Sequence, residues 1–178
     1  FGIDHWQIQD GTLVYDDKSI PFFMEMKGLN HSGSGDFTQA LFYLKTNTVA
    51  DTLNVGYGGE EYISNKRLEI DAVISIAEDY TKYTFKENKA KINDFAMSFD
   101  GWFKMNENDY GMDISFKSPD NSFKSLLSLI PGMYTNSFES IETNGELAFA
   151  GFVKGTYSEK QMPAFNLNLL VKDAMFKY

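Results

Sequence analysis

Apolar and polar residues alternate along most of the chain. The clearest run extends from Leu68 to Ile76, and Glu69, Asp71 and Ser75 are among its polar positions. A β-strand points successive side chains to opposite faces, so a period of two predicts a strand with one apolar and one polar face. Comparable runs precede and follow this one. The pattern therefore predicts a mainly β protein.

Turn sequences separate the predicted strands. Asp10-Gly11 has apolar residues on both sides and is typical of tight hairpins, because glycine tolerates positive φ, so we predict a first hairpin there. The small polar residues of 31–36 predict a loop, and Gly58-Gly59-Glu60-Glu61 predicts a glycine-rich turn before the run that ends at Ile76. The order of runs and turns predicts consecutive antiparallel strands.

A helical period interrupts the alternation once. Apolar residues stand at i, i+3, i+4 and i+7 in Phe123, Leu126, Leu127 and Ile130. This spacing builds one apolar stripe along a helix. A side chain from residues 120–122 can cap the first turn, and Pro131-Gly132 can end the helix. We predict one short helix over about residues 121–131, which either packs across or beside the apolar face of the sheet or caps its core.

The two ends of the chain share a weak echo. Segment Ile8–Tyr15 aligns with segment Val171–Tyr178, with Asp at the third position, Tyr at the eighth, and matching apolar types at the first and sixth. A true echo would mean that Tyr178 belongs to the start of a second unit, as in a stacked repeat. A match between only two short copies also arises by chance, so both interpretations stay open.

Length and composition indicate a folded segment. The chain has 178 residues, 43% of them hydrophobic and 16% aromatic, and a compact domain of this size buries roughly 70% of its unfolded surface. No apolar run approaches the roughly 20 residues that a membrane helix requires. The chain begins at Phe1 without Met and ends inside an alternating run. We therefore expect residues 1–178 to form a single segment of a longer protein.

Charge and residue types exclude several functions. A net charge of −9 argues against nucleic acid, because phosphate binding requires clustered Lys and Arg, and the sequence has no such cluster. The chain has no cysteine, which removes disulfides and thiolate metal sites. His5 and His31 are the only histidines, and neither has a second ligand at a metal spacing. We expect no metal ion and no cofactor.

Short motifs that imitate reactive sites are better interpreted as turns. Segment 106–111 resembles a calcium loop, but Lys117 stands where the bidentate Glu belongs. Asp16-Asp17 and Glu60-Glu61 are adjacent acids, and adjacent residues on a strand point to opposite faces. A glycosidase would need two carboxylates facing each other about 5 to 10 Å apart. The sequence therefore predicts no enzyme.

Several sequence blocks carry a family resemblance. The strongest are FKSLLSLIPGMY at 123–134, FESIETNGEL at 138–147, GFVKGTY at 151–157 and MPAF at 162–165. In order and spacing they closely resemble the C-terminal region of AsmA-family proteins of Gram-negative bacteria. Gly35-Asp36-Phe37 and Phe99-Asp100-Gly101 extend a looser likeness towards the start of the chain.

This resemblance implies a fold, a location and a partner. AsmA-like proteins are anchored in the inner membrane by an N-terminal helix, extend through the periplasm, and are related to TamB and to bridge-like lipid-transfer proteins built from β-groove units. Their proposed work is to move phospholipid towards the outer membrane or to support envelope assembly. The resemblance thus implies a periplasmic segment whose partners are phospholipid or another acyl-chain lipid, and envelope proteins. The family offers no catalytic residues to carry over.

The alternation and the resemblance together predict a curved antiparallel sheet of the β-groove or half-barrel type. Acyl chains require a continuous apolar surface, which contributes about 0.8 kcal/mol per buried methylene. The residues predicted to line this groove are Leu68, Ile70, Ile74, Ile76, Met97, Phe99, Phe103, Met112, Ile114, Phe116, Leu167 and Leu169. An ordinary closed core produces the same alternation. The alternative function is therefore a structural or protein-interaction module with a filled interior.

Overall fold

A computed structural model describes residues 4–36, 38–77, 80–129 and 142–177, which form one antiparallel sheet. Its nine strands follow the order of the chain. They are β1 (His5–Asp17), β2 (Phe22–Ser34), β3 (Phe42–Tyr57), β4 (Glu60–Ala77), β5 (Lys82–Ile92), β6 (Phe95–Met105), β7 (Tyr110–Ser122), β8 (Glu142–Tyr157) and β9 (Ala164–Lys177). A short helix, α1 (Phe123–Leu127), follows β7. The prediction of a mainly β, consecutive antiparallel sheet is confirmed.

The strand register gives the sheet two chemically different faces. One row across the sheet, which belongs to what we call the apolar face, contains Ile8, His31, Thr48, Ile70, Ala90 and Met97. The neighbouring row on the opposite side, the polar face, contains Gln7, Ser32, Asn47, Asp71, Lys89, Ser98 and Lys117. The polar positions of the alternating runs thus lie side by side on one face of the sheet.

The sheet is strongly curved towards its apolar face. Phe95 on β6 and Phe149 on β8 are separated by β7, yet their rings stack with centroids 5.3 Å apart. In a flat sheet, strands that are two apart lie about 9 to 10 Å from each other. The curvature buries side chains without a second sheet, as it does at Ala50 and Leu147.

The best buried part of the apolar face lies on β2, β3 and β4. Leu29, Ala50, Leu53 and Leu68 form a buried cluster. Partly buried residues pack around it, namely Met24, Met26, Val55, Ile63, Ile70 and Ile92. Because a fully buried aliphatic side chain contributes about 1.5 to 3 kcal/mol, this cluster is a main source of stability.

The predicted hairpin at Asp10-Gly11 is wrong, because both residues lie inside β1. Asp10 has a φ of 48°, and the register with β2 shifts on both sides of Gly11. The segment is therefore a β-bulge, which uses the same positive φ as a tight turn. Its extra residue allows Leu13 to return to the apolar face after Ile8. The first turn instead comprises residues 18–21.

Asp173, the residue that aligns with Asp10 in the sequence echo, has the same backbone conformation. Its φ is 48°, and it lies on β9 close to the register shift between Asn144 and Glu146 of β8. The two edge strands of the described sheet thus each carry a left-handed aspartate. The sequence echo coincides with a shared conformation of the backbone.

Helix α1 is shorter than the predicted 121–131. Residues 121 and 122 belong to β7, because Asn121 pairs with Leu147 and Ser122 pairs with Glu146 of β8. Ser122 caps the helix, and its Oγ accepts a hydrogen bond from the Ser125 N–H at 3.1 Å. The helix ends at Leu127, and residues 130 and 131 lie outside the described residues. The cap was predicted within 120–122, but the pairing with β8 was not.

Candidate functional site

All the residues predicted to line the groove lie on the apolar face. Ile74 on β4 pairs with Phe85, and Phe99 on β6 pairs with Phe116 on β7. The same rows continue to β9, where Leu167 pairs with Gly151 of β8. The predicted residues therefore lie on one surface that extends over six strands. Strands β4, β6, β7 and β9 carry these residues, and β5 and β8 lie between them.

Exposure of this surface increases along the sheet. Leu68 and Ile76 on β4 are buried, with 5% and 7% of their surface exposed. The predicted residues on β6 and β7 are half-buried. Leu167 and Leu169 on β9 are 52% and 55% exposed. Ile70 and Ile74 on β4 are half-buried, so the apolar face is most closed around Leu68 and Ile76 and accessible at β9.

Aromatic rings line the apolar face between β4 and β9. Phe85 and Phe99 meet edge to face at 5.7 Å, and Phe116 contacts Phe149 at 5.7 Å. Towards the turn between β6 and β7, Phe103 stacks on Tyr110 at 5.6 Å. The predicted set omitted Phe85, Phe149 and Tyr110. Phe149 stands in an alternating run with Leu147 and could have been included from its sequence pattern.

Gly151 makes room for an aromatic ring. A Cβ at Gly151 would lie 2.3 Å from the carbonyl oxygen of Asn166 and 2.8 Å from Cε2 and Cζ of Phe116, closer than real Cβ atoms approach their neighbours. The ring of Phe116 therefore rests against the backbone of β8. Glycine at this position shapes the surface of the apolar face, a role that the alternation pattern alone does not reveal.

A small polar cluster interrupts the apolar face on β1, β2 and β3. Nε1 of Trp6 donates to Nε2 of His31 at 3.0 Å, and Nδ1 of His31 lies 2.9 Å from Oγ1 of Thr48. Burial lowers the pKa of His31 below its ordinary value of 6.5. The cluster is consistent with a neutral histidine that both partners hold in place.

Asn88 is a second polar residue on this face. It pairs with Phe99 on β6, and its exposed surface is 0%. Its Oδ1 accepts a hydrogen bond from the Val73 N–H at 2.7 Å. This bond satisfies a backbone donor at the register shift between β4 and β5. Its Nδ2 has no hydrogen-bond partner within the described residues.

The adjacent acids stabilise turns. Asp16 forms an ion pair with Lys18 at 2.6 Å. Asp17 accepts hydrogen bonds from the N–H of Ser19 at 2.8 Å and from its hydroxyl at 2.6 Å, and these lower the pKa of Asp17. Asp17 therefore holds the turn between β1 and β2, whereas the Asp16–Lys18 ion pair is exposed. Asp16 also lines a cleft of about 370 Å³ together with Glu60 and Glu61.

The loop that resembles a calcium site connects β6 to β7. Asn106 donates its backbone N–H to the Asp109 carbonyl at 2.9 Å, and its Nδ2 donates to Oδ1 of Asp109 at 2.6 Å. These contacts close a tight connection. Among the described residues, no group of three or more His, Cys, Asp or Glu is positioned to hold a metal ion.

The predicted helix-packing residues are described only in part. Helix α1 contacts β7 and β8, and Leu126 is half-buried. Ser125 is buried, and Asn93 donates from Nδ2 to the Ser128 carbonyl at 3.2 Å, which links the helix end to the turn between β5 and β6. The side chains of Phe123 and Leu127, and all of Ile130, lie outside the described part of the structure.

No protein-family model, no curated protein and no solved structure matches this chain. The resemblance to AsmA-family proteins therefore stays a prediction from the sequence blocks. In the described ranges, no helix has the length and apolarity needed to cross a membrane.

Proposed function

We propose that this chain is a non-enzymatic segment of a cell-envelope protein and holds the acyl chains of phospholipid along its apolar face. The observation that carries the proposal is a continuous apolar surface across the sheet that becomes accessible at β9, where Leu167 and Leu169 are exposed. The opposite face carries polar rows, such as the one that contains Asn47, Asp71 and Lys89. A surface with this division suits a hydrocarbon chain on one side and water on the other.

The lining chemistry favours a variable hydrocarbon ligand. Methionine side chains are flexible and polarisable, and Met97 and Met112 stand next to rings such as Phe99 and Phe103. Each methylene of a chain that leaves water on this surface contributes about 0.8 kcal/mol. Binding then depends on the length of the chain rather than on one specific contact.

The wider role comes from the sequence blocks at 123–134 and 138–165. By that resemblance, the parent protein is anchored in the inner membrane of a Gram-negative bacterium, and this segment lies in the periplasm. There it handles or transports phospholipid between the inner and outer membranes and supports outer-membrane assembly.

A structural or protein-interaction module is the second candidate. The buried cluster of Leu29, Ala50, Leu53 and Leu68 favours it, because this part of the apolar face is already filled. In that case the exposed residues of β9 contact another envelope protein instead of lipid.

Two measurements test the lipid proposal. Native mass spectrometry after gentle purification should detect copurified phospholipid, and a fluorescent acyl-chain analogue should bind in titration. Leu169→Asp places a charge on the exposed apolar face and should weaken binding of the analogue at least about tenfold. Asn168→Asp adds the same charge to the polar face of the same strand and should leave binding unchanged.

The outcomes separate the two candidates. Equal analogue binding by Leu169→Asp and Asn168→Asp would place lipid away from the apolar face of β9. A chain that emerges without lipid and binds no analogue would favour the protein-interaction module. Both substitutions are at exposed positions, so the fold should survive and circular dichroism should be unchanged.

A further inference from the structure

Asn88 stands out because its amide is held in one orientation while one of its groups has no partner. The Val73 N–H can only donate, so the atom that it contacts at 2.7 Å must be the acceptor Oδ1. The other end of the amide is therefore Nδ2, a donor. Within the described residues, Nδ2 is buried and makes no hydrogen bond.

A buried donor without an acceptor is unfavourable. Loss of hydration at such a group costs stability, and native proteins leave few of them. A leucine at this position would fill similar space without that cost. The amide is needed in part for the Val73 N–H, but this contact does not account for the donor at the other end.

The position of Asn88 limits what an acceptor can be. The register shift on β5 lies between Phe85 and Asn88, and the rings of Phe85 and Phe99 meet there at 5.7 Å. Ala90 follows on the same face, whereas Lys89 is on the polar face. In these apolar surroundings a neutral acceptor is favoured over a charged one, because burying an unpaired charge is far more costly.

We propose that Nδ2 of Asn88 donates a hydrogen bond to the ester carbonyl oxygen of an acyl lipid bound on the apolar face. This inference rests on the proposed lipid function and adds a specific polar contact to it. An ester carbonyl is a neutral acceptor next to hydrocarbon, which matches the donor and its aromatic neighbours. Because Asn88 is buried, binding requires neighbouring side chains of the apolar face to move.

The test compares two phospholipids that differ only in the acceptor. One is a diacyl phosphatidylethanolamine, and the other is the diether with the same headgroup and chain length, which lacks the carbonyl oxygens. Each competes with the fluorescent acyl-chain analogue for the wild-type chain. Because the diacyl lipid can accept one more neutral hydrogen bond than the diether lipid, we expect it to bind about fivefold more tightly than the diether.

The variant Asn88→Leu identifies the donor. Without Nδ2, the variant should bind the diacyl and diether lipids with equal affinity, at about the level of the diether on the wild type. A preference for the diacyl lipid that persists in Asn88→Leu would overturn the inference, because the donor would then lie elsewhere. If this variant does not fold, the wild-type comparison alone still overturns the inference when the two lipids bind equally.

The remaining outcomes distinguish this inference from the function on which it rests. If both lipids bind the wild type equally, Nδ2 makes no hydrogen bond to the bound lipid and the inference is wrong, while the lipid function stands. If neither lipid binds, the proposed lipid function fails together with the inference.

Discussion

Nε1 of Trp6 donates a hydrogen bond to Nε2 of His31 at 3.0 Å, across the pairing of β1 and β2. An indole can only donate, so Nε2 of His31 must be the acceptor, and a neutral ring then carries its proton on Nδ1. Nδ1 is 2.9 Å from Oγ1 of Thr48, which can accept that proton. The ring of His31 thus joins three strands, but only in its neutral form.

This arrangement predicts that the protein loses stability as the pH falls below about 6.5. Burial lowers the pKa of folded His31, so between the two pKa values the unfolded chain binds more protons than the folded chain. The free energy of unfolding then decreases with decreasing pH, and the full contribution is present above the unfolded pKa. Urea denaturation at steps from about pH 8 to about pH 5 measures the change.

His5 provides the control for that experiment. It lies on the same strand as Trp6 and is exposed. His31→Gln should remove the decrease in stability between about pH 6.5 and pH 5, whereas His5→Gln should retain it. An equal decrease in both variants would assign the pH dependence to another group.

Gly33 is expected to be intolerant of a side chain. It pairs with Trp6, and a Cβ at this position would overlap Cζ2 of that indole. Gly33→Ala should therefore lower the free energy of unfolding by about 1 to 3 kcal/mol, as overpacking commonly does. In a Trp6→Ala background the same substitution should cost much less. Equal costs in both backgrounds would show that the indole is not the obstacle.

The strands and their faces could be predicted from the sequence because alternation is a local property. Each apolar residue from Leu68 to Ile76 points to the same side as the one two positions away, whatever its partner strand. Short polar connections indicate the consecutive antiparallel order for most of the strands, whereas the connection from β7 to β8 is longer and includes α1. The predicted groove residues share a face for the same reason.

Other features depend on more distant parts of the chain. Asp10-Gly11 tolerates positive φ, but only the pairing with β2 selects a bulge instead of a turn. Ser122 fits a helix cap, while its pairing with Glu146 decides how far β7 extends. The contact between Phe95 and Phe149 requires the curvature of the whole sheet, which a period of two does not encode.

The difference in exposure between β4 and β9 predicts different costs for the same truncation. Leu68→Ala removes a buried side chain and should lower the free energy of unfolding by about 2 to 5 kcal/mol. Leu169→Ala shortens an exposed side chain, and its free energy of unfolding should lie within about 0.5 kcal/mol of the wild-type value. Chemical denaturation of the lipid-free chain measures both. A large cost at Leu169 would mean that β9 belongs to the closed core.

The cap of α1 predicts a smaller effect. Ser122→Ala removes the acceptor for the Ser125 N–H and should lower the free energy of unfolding by about 0.5 to 2 kcal/mol. Ser122→Asp keeps an acceptor there and should restore most of the loss. The same denaturation measurement applies, and an unaffected Ser122→Ala would show that the cap contributes nothing to the fold.

Strand β9 has one further consequence for the chain in solution. From Ala164 to Lys172 it follows β8 without a register shift, and it is an edge strand of the described sheet. Segment 164–171 contains no charged residue, and charges are what usually prevent edge strands of different molecules from joining. Concentrated samples will therefore lose monomer by strand addition between molecules, and a lysine introduced at Leu170 will keep them dispersed.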